Sequence, residues 1–143
     1  MVRLGVTGGI GSGKSVVCRL LQMLDVPVYD SDSRAKWLMA NSLALRERLC
    51  ARFGAEIYEG GVLQRRVLAE RVFSDAEALA ALNAIVHPAV KQDILKWANE
   101  INNTTGDNTI PYFVECAILY QAGFDKLCDK VVMIIAPEAV RIE

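Results

Sequence analysis

The chain has 143 residues, 52% of them apolar, with 16 basic and 17 acidic side chains and a formal net charge of −1. That suffices for one domain, or one domain with an inserted subdomain, and is too apolar for global disorder. The near-neutral balance, with no basic tail or stripe, speaks against nucleic acid and anionic membrane as partners and leaves room for a small phosphorylated ligand.

Cys18, Cys50, Cys116 and Cys128 form no CxxC pair, and only His87 could join them at a metal. They read as reduced thiols of a cytosolic protein. No stretch nears the roughly 18 apolar residues of a membrane span, and the start breaks into glycines before a signal-peptide core can form. The expectation is a soluble, cytoplasmic protein; the pattern carries no signal for oligomeric state.

In chain order, Arg3-Leu4-Gly5-Val6-Thr7 is a short apolar run that stops at glycines and reads as a strand. Lys14 to Leu24 has apolar residues at Val16, Val17, Leu20, Leu21 and Leu24, which is helical spacing. Val26-Pro27-Val28-Tyr29 reads as a second strand ending at Asp30-Ser31-Asp32, where polar residues suit a strand end and a helix cap. Strand, loop, helix and strand make a βαβ unit, expected to be parallel and right-handed.

From about Ser33 to Asn102 helical spacing dominates. Ser42 is expected to cap a helix to about Phe53, Gly54 and Gly60-Gly61 to make turns, and Gln64 to Phe73 to be amphipathic. Ser74-Asp75-Ala76-Glu77 reads as a capping box opening the next helix. His87-Pro88 is expected to interrupt the helical pattern, with Pro88 in the first turn of a new helix to about Ile101.

Residues 102–108 read as a polar loop, and 110–116, Ile110 to Cys116, as a third strand ending in a carboxylate. Val131 to Ile135 reads as a fourth, apolar enough to suit a parallel strand covered on both faces. Residues 136–143 read as the opening of another helix, which suggests a fragment of a longer chain. The fold class expected is α/β, a three-layer P-loop NTPase-type fold with a parallel sheet and an all-helical insertion.

Gly8-Gly9-Ile10-Gly11-Ser12-Gly13-Lys14-Ser15 fits the P-loop spacing, with a strand before it and a helix behind. Glycines let successive backbone N–H groups turn inward around an anion. The following helix aims its positive end at the same place. Lys14 is placed for the β- and γ-phosphates, and the Ser15 hydroxyl for Mg²⁺. The chain is therefore expected to bind a nucleoside triphosphate.

A kinase also needs a carboxylate at the acceptor hydroxyl. Asp30 and Asp32 end the second strand, and ligands of parallel sheets gather at the carboxyl ends of strands; either aspartate alone could instead be a helix cap. Glu115 ends the third strand, where a Walker-B-type acid would sit and hold Mg²⁺ through water, or where it is an ordinary strand-end acid.

These residues resemble the dephospho-coenzyme A kinase family. The resemblance rests on Thr7 to Ser15, narrower than a generic P-loop, and on Val28-Tyr29-Asp30-Ser31-Asp32, similar to the family's Asp-x-Asp. Gly61 to Arg65, Val72-Phe73 and Leu82-Asn83-Ala84-Ile85-Val86-His87-Pro88 continue it in order over essentially the whole chain.

The resemblance implies ATP-dependent phosphorylation of the ribose 3′-hydroxyl of dephospho-CoA, the last step of coenzyme A synthesis. It implies ATP and Mg²⁺ as ligands, Asp32 and Lys14 as catalytic residues, Gly8 to Ser15 with Val16 around the nucleotide, and Thr7, Asp32, Arg65, Asn83 and His87 toward the acceptor. Residues 1–32 and 109–143 would form the nucleotide-binding core and residues 33–108 the helical acceptor domain. By the motif register Arg65 is the functional arginine, and Arg66 lies on a solvated face.

Three departures stand out. Val16 follows Ser15 where the family has threonine. Ala117-Ile118-Leu119-Tyr120-Gln121 replaces Pro-Leu-Leu-x-Glu, so Gln121 lacks the glutamate's charge. The family's arginine-bearing lid and adenine-contacting tail are expected beyond Glu143. Another small-molecule or nucleoside monophosphate kinase, or a non-catalytic nucleotide-binding module, is the alternative.

Overall fold

The computed structural model describes residues 2–9, 11–106 and 109–136. In chain order the elements are β1 (Arg3–Gly8), α1 (Lys14–Met23), β2 (Val28–Asp30), α2 (Ser31–Asn41), α3 (Leu43–Phe53), β3 (Tyr58–Glu59), β4 (Val62–Leu63), α4 (Arg65–Val72), α5 (Ala76–Thr105), β5 (Tyr112–Glu115) and β6 (Lys130–Ile134). Short 3₁₀ turns lie at Ala55–Ile57 and Phe124–Leu127. Two compact units result, Met1–Asp32 with Asp93–Glu143, and Ser33–Gln92.

The first unit is built on a parallel sheet of order β2-β5-β1-β6. β1 and β2, joined through α1, are not neighbours, because β5 runs between them. Its register sets Val6 opposite Glu115 and Asp30 opposite Glu115, so β2 and β5 end level with Val6 while β1 runs on to Gly8. Gly5, Val6 and Thr7 are buried, as are Tyr112 and Val114 on β5. Tyr29 and Tyr112 both meet the Trp97 indole edge-on, with centroids 5.3 and 5.5 Å away. That aromatic stack holds the second half of α5 to this unit.

The strand expected at Val131 to Ile135 is β6, and it pairs with β1 in parallel. Among the described residues Val132, Met133 and Ile135 are exposed. The helix expected after residue 136 lies outside the described residues.

The second unit packs Leu45, Leu49 and Phe53, one face of α3, with Ile57, Tyr58, Leu63, Leu68 and Val72 in its core. Ser42 caps α3 as expected, its hydroxyl accepting from the Leu45 N–H at 3.3 Å. Gly54 ends the helix at φ +96°, a conformation that favours glycine. Arg71 donates to the Phe53 carbonyl and so ties α4 to the end of α3. A hairpin of two short strands, β3 and β4, interrupts the helices, turning through Gly60 and Gly61, both at positive φ.

Three features of α5 differ from expectation. Its cap is Asp75 and not Ser74: the Asp75 carboxylate accepts from the Glu77 and Ala78 N–H groups at 3.0 and 3.2 Å. Pro88 does not interrupt it. Proline removes the hydrogen bond to the carbonyl four residues back, but Ala84 and Pro88 are both exposed, so water can serve that carbonyl. Buried Val86 and Val90 hold both arms in the core.

The helix also runs on through residues 102–105, which were expected to be loop. The Thr104 and Thr105 hydroxyls bond back to the Glu100 and Ile101 carbonyls at 2.8 and 2.9 Å, and Gly106 then ends it at φ +63°.

Candidate active site

The site lies in the first unit, where β1 gives way to α1. Gly11 and Gly13 adopt φ of +73° and +91°, the left-handed region that turns backbone N–H groups to the inside of a loop. Gly13 is the N-cap residue of α1 and, having no side chain, offers that helix no cap. Its first-turn N–H groups are therefore available to an anion, with the positive end of the helix dipole behind them. Gly8 is needed for space: a Cβ there would meet Ser12 Oγ at 2.6 Å and the Ile134 carbonyl oxygen at 2.7 Å. Ile10 lies outside the described residues.

The loop encloses a cavity of about 390 Å³ lined by Gly8, Gly9, Gly11, Ser12, Gly13, Lys14, Ser15, Val16, Asp32 and Ala117. Ser12 is buried, and among the described residues its hydroxyl has no hydrogen-bond partner. A buried hydroxyl left unpaired costs about 1–3 kcal/mol, and a phosphate oxygen in the cavity would supply its missing partner.

Lys14 and Ser15 leave the loop toward β5. The Lys14 ammonium pairs with Glu115 Oε1 at 3.1 Å, and the Ser15 hydroxyl donates to the same oxygen at 3.5 Å. Glu115 is buried, and the Cys18 thiol lies near it. Burial first, and then the Glu115 charge, push that thiol up to about 12, so Cys18 is a neutral, inert packing group.

Asp32 sits in the first turn of α2, directly after β2, and is one of the residues lining the cavity. Asp30 ends β2 beside Glu115 and is not among the lining residues. The buried Cys116 thiol is raised chiefly by desolvation, and the Asp32 charge adds to this. Thr7 is buried, its hydroxyl donating to the Ala117 carbonyl at 3.4 Å, and it does not line the cavity. Ala117, which stands where the family pattern has proline, also lines the cavity.

Arg65, Asn83 and His87 belong to the second unit. Arg65 opens α4, is exposed, and makes no ion pair among the described residues. Arg66 pairs with Glu70 at 3.4 Å on a solvated face. Asn83 and His87 are four apart on α5 and so share a face, both half-buried. Burial, with a smaller contribution from Lys91, lowers the His87 pKa below its ordinary value.

A glycine loop between a central parallel strand and an uncapped helix, with a lysine and a carboxylate at one cavity, defines a P-loop nucleotide-binding protein of the phosphotransferase kind. The sequence model of the dephospho-CoA kinase family matches residues 2–143, and the chain belongs to that family.

Among curated relatives, the dephospho-CoA kinase of Porphyromonas gingivalis is 46% identical over 143 residues, which is 100% of this chain and 68% of that protein. The dephospho-CoA kinase of Salinibacter ruber is 41% identical, covering 99% of this chain and 70% of the relative. A crystal structure of a Thermus thermophilus protein superposes with a TM-score of 0.77 at 35% identity, over 98% of this chain and 68% of that one. The dephospho-CoA kinase from Campylobacter jejuni shares the fold, with a TM-score of 0.69 at 24% identity over 92% of this chain and 64% of that structure. The chain thus spans about two thirds of the length of its curated relatives.

Proposed function

We propose that this chain carries the phosphate cradle and acceptor base of a dephospho-CoA kinase, which moves the γ-phosphoryl group of ATP to the ribose 3′-hydroxyl of dephospho-CoA. The observation that carries this reading is that Asp32 and the P-loop line one cavity. A module that only bound nucleotide would need no carboxylate facing the phosphates. Asp32 orients the acceptor hydroxyl and takes its proton. The loop N–H groups and Lys14 hold the phosphates and stabilise charge on the transferred group.

The oxygen pair Ser15 and Glu115 suits a hard cation such as Mg²⁺, which takes one or two protein ligands and completes its shell with phosphate and water. Ser15 would hold it directly, and when bound it neutralises phosphate charge. Arg65, Asn83 and His87 are proposed for the acceptor side. Their support is the family register, the exposure of Arg65 and the common face of the other two. Four free thiols among the described residues and a triphosphate donor accord with a cytosolic place of action, and no helix of the described residues is long and apolar enough to cross a membrane.

The deciding experiment is ATP turnover by the full-length protein with dephospho-CoA, with adenosine monophosphate, and with no acceptor. Stimulation by dephospho-CoA alone is expected. Better turnover with adenosine monophosphate would make the chain a nucleoside monophosphate kinase, and no stimulation by either acceptor would leave a binding module.

A further inference from the structure

We infer that Glu115 is a positioning residue that acts through Lys14: it holds the lysine in the nucleotide-free site, and a nucleotide must win the lysine from it. This rests on the reading of the loop as a nucleotide site, and it adds a residue that the P-loop motif does not contain.

Three groups of α1 converge on one carboxylate. Lys14 Nζ lies 3.1 Å from Glu115 Oε1, Ser15 Oγ lies 3.5 Å from the same atom, and the Cys18 thiol lies near that carboxylate. The Lys14 and Glu115 side chains are only 13% and 10% exposed, so solvent and salt screen the pair little. Removing one partner of such a pair leaves a buried, uncompensated charge.

The backbone fixes Glu115 in this place. It is the last residue of β5, in register with Val6 of β1 and Asp30 of β2, so it cannot follow the loop if the loop adjusts to a ligand. Lys14, by contrast, has a long flexible stem and compact charge that can turn from carboxylate to phosphate.

An incoming triphosphate brings negative charge to a site where Glu115 already holds both the ammonium and the Ser15 hydroxyl. Phosphate and carboxylate therefore compete for the same two donors. Part of the binding free energy goes into that exchange, which lowers affinity for any ligand too poor in charge to win it. Glu115 thus sets a threshold that favours densely charged phosphates.

A double-mutant cycle separates this exchange from plain repulsion between Glu115 and phosphate. Binding of ADP in the presence of EDTA is measured by calorimetry for the wild type, Glu115→Gln, Lys14→Met and the double variant, with circular dichroism to confirm folding. With Lys14 present, Glu115→Gln should tighten metal-free ADP by about fivefold or more, the low end of a typical coupling. In the Lys14→Met background the same change should do less than about twofold.

Equal tightening in both backgrounds, or none in either, overturns the inference. Absence of ADP binding by the wild type would instead overturn the nucleotide site itself. A second readout covers the case in which Lys14→Met binds too weakly to measure. Acylation of Lys14 by acetic anhydride in nucleotide-free protein, followed by peptide mass spectrometry with exposed Lys36 as reference, should be several-fold faster in Glu115→Gln; an unchanged rate overturns the inference.

Discussion

The Tyr29 hydroxyl donates a 2.6 Å hydrogen bond to the Asp93 carboxylate and so clasps β2 to the second half of α5. The same ring stands edge-on to Trp97 four residues further along that helix. β2 is three residues long and ends two residues before Asp32, so whatever steadies β2 also steadies the proposed base. Tyr29→Phe keeps the ring and loses the hydrogen bond. A hydrogen bond to a charged group is worth about 1.5–3 kcal/mol, and the variant should melt several degrees lower in calorimetry. Tyr29→Ala, which also removes the edge contact, should fall further. Equal melting of wild type and Tyr29→Phe would mean that the clasp contributes nothing.

Gly8→Ala should damage the cradle without touching any charged group. The new methyl would lie 2.6 Å from Ser12 Oγ and 2.7 Å from the Ile134 carbonyl oxygen. Ser12 can rotate, but the Ile134 carbonyl belongs to β6, paired to β1 at that very level. Either the loop or β6 must shift. Loss of ADP affinity by at least about tenfold is expected, since a 1.4 kcal/mol change already gives that factor. Gly9→Ala puts the same methyl in the cavity lining, where its Cβ meets nothing within 4 Å among the described residues, and so separates bulk at the ligand from the clash with β6. Similar affinities for the two variants would count against the close approach.

The cradle was legible because its signal is local. Glycines at fixed spacing, an apolar run before and helical periodicity after are all contained in about twenty residues. The sheet order was not, since nothing in Arg3 to Asp30 says that a strand eighty residues on, Tyr112–Glu115, will enter between β1 and β2. Pro88 misled for a different reason. Its cost is real, but two buried valines on the flanking turns offset it, and tertiary packing overrode local propensity. Glu115 was visible as a strand-end acid, but its partner Lys14 lies 101 residues away and no spacing rule links them.

Asp32→Asn separates binding from chemistry. The amide is nearly isosteric and leaves the loop, Lys14 and Ser15 alone, so nucleotide affinity should change by less than about threefold, within the scatter of a surface substitution. It cannot take a proton from the acceptor hydroxyl, and turnover with dephospho-CoA should fall about 10²–10⁴-fold. Steady-state kinetics beside calorimetry read the two quantities separately. Turnover within a factor of about two of wild type would remove Asp32 from the base role, and Asp30, beside it on β2, would become the next residue to test.

His87 should make the fold sensitive to mild acid. Its ordinary pKa is 6.5, and in the folded chain it is lowered, first by burial and second by the Lys91 charge. Above that value the imidazole is neutral whether the chain is folded or not, and it adds no pH dependence. As the pH falls below 6.5, the unfolded chain takes up the proton more readily than the folded one. Stability therefore drops with falling pH, and the drop levels off once the pH is below the folded-state value. His87→Gln keeps a polar group of similar size and removes this titration. Denaturant midpoints measured at about pH 7.5 and about pH 5.5 should move further apart in the wild type than in the variant. Lys91→Gln should lie between the two, because it removes the lesser of the two causes and leaves the burial. If wild type and His87→Gln lose the same stability over that interval, the imidazole is already as free to take a proton in the folded chain as in the unfolded one. Any acceptor-side role for His87 would then have to be explained without a neutral ring.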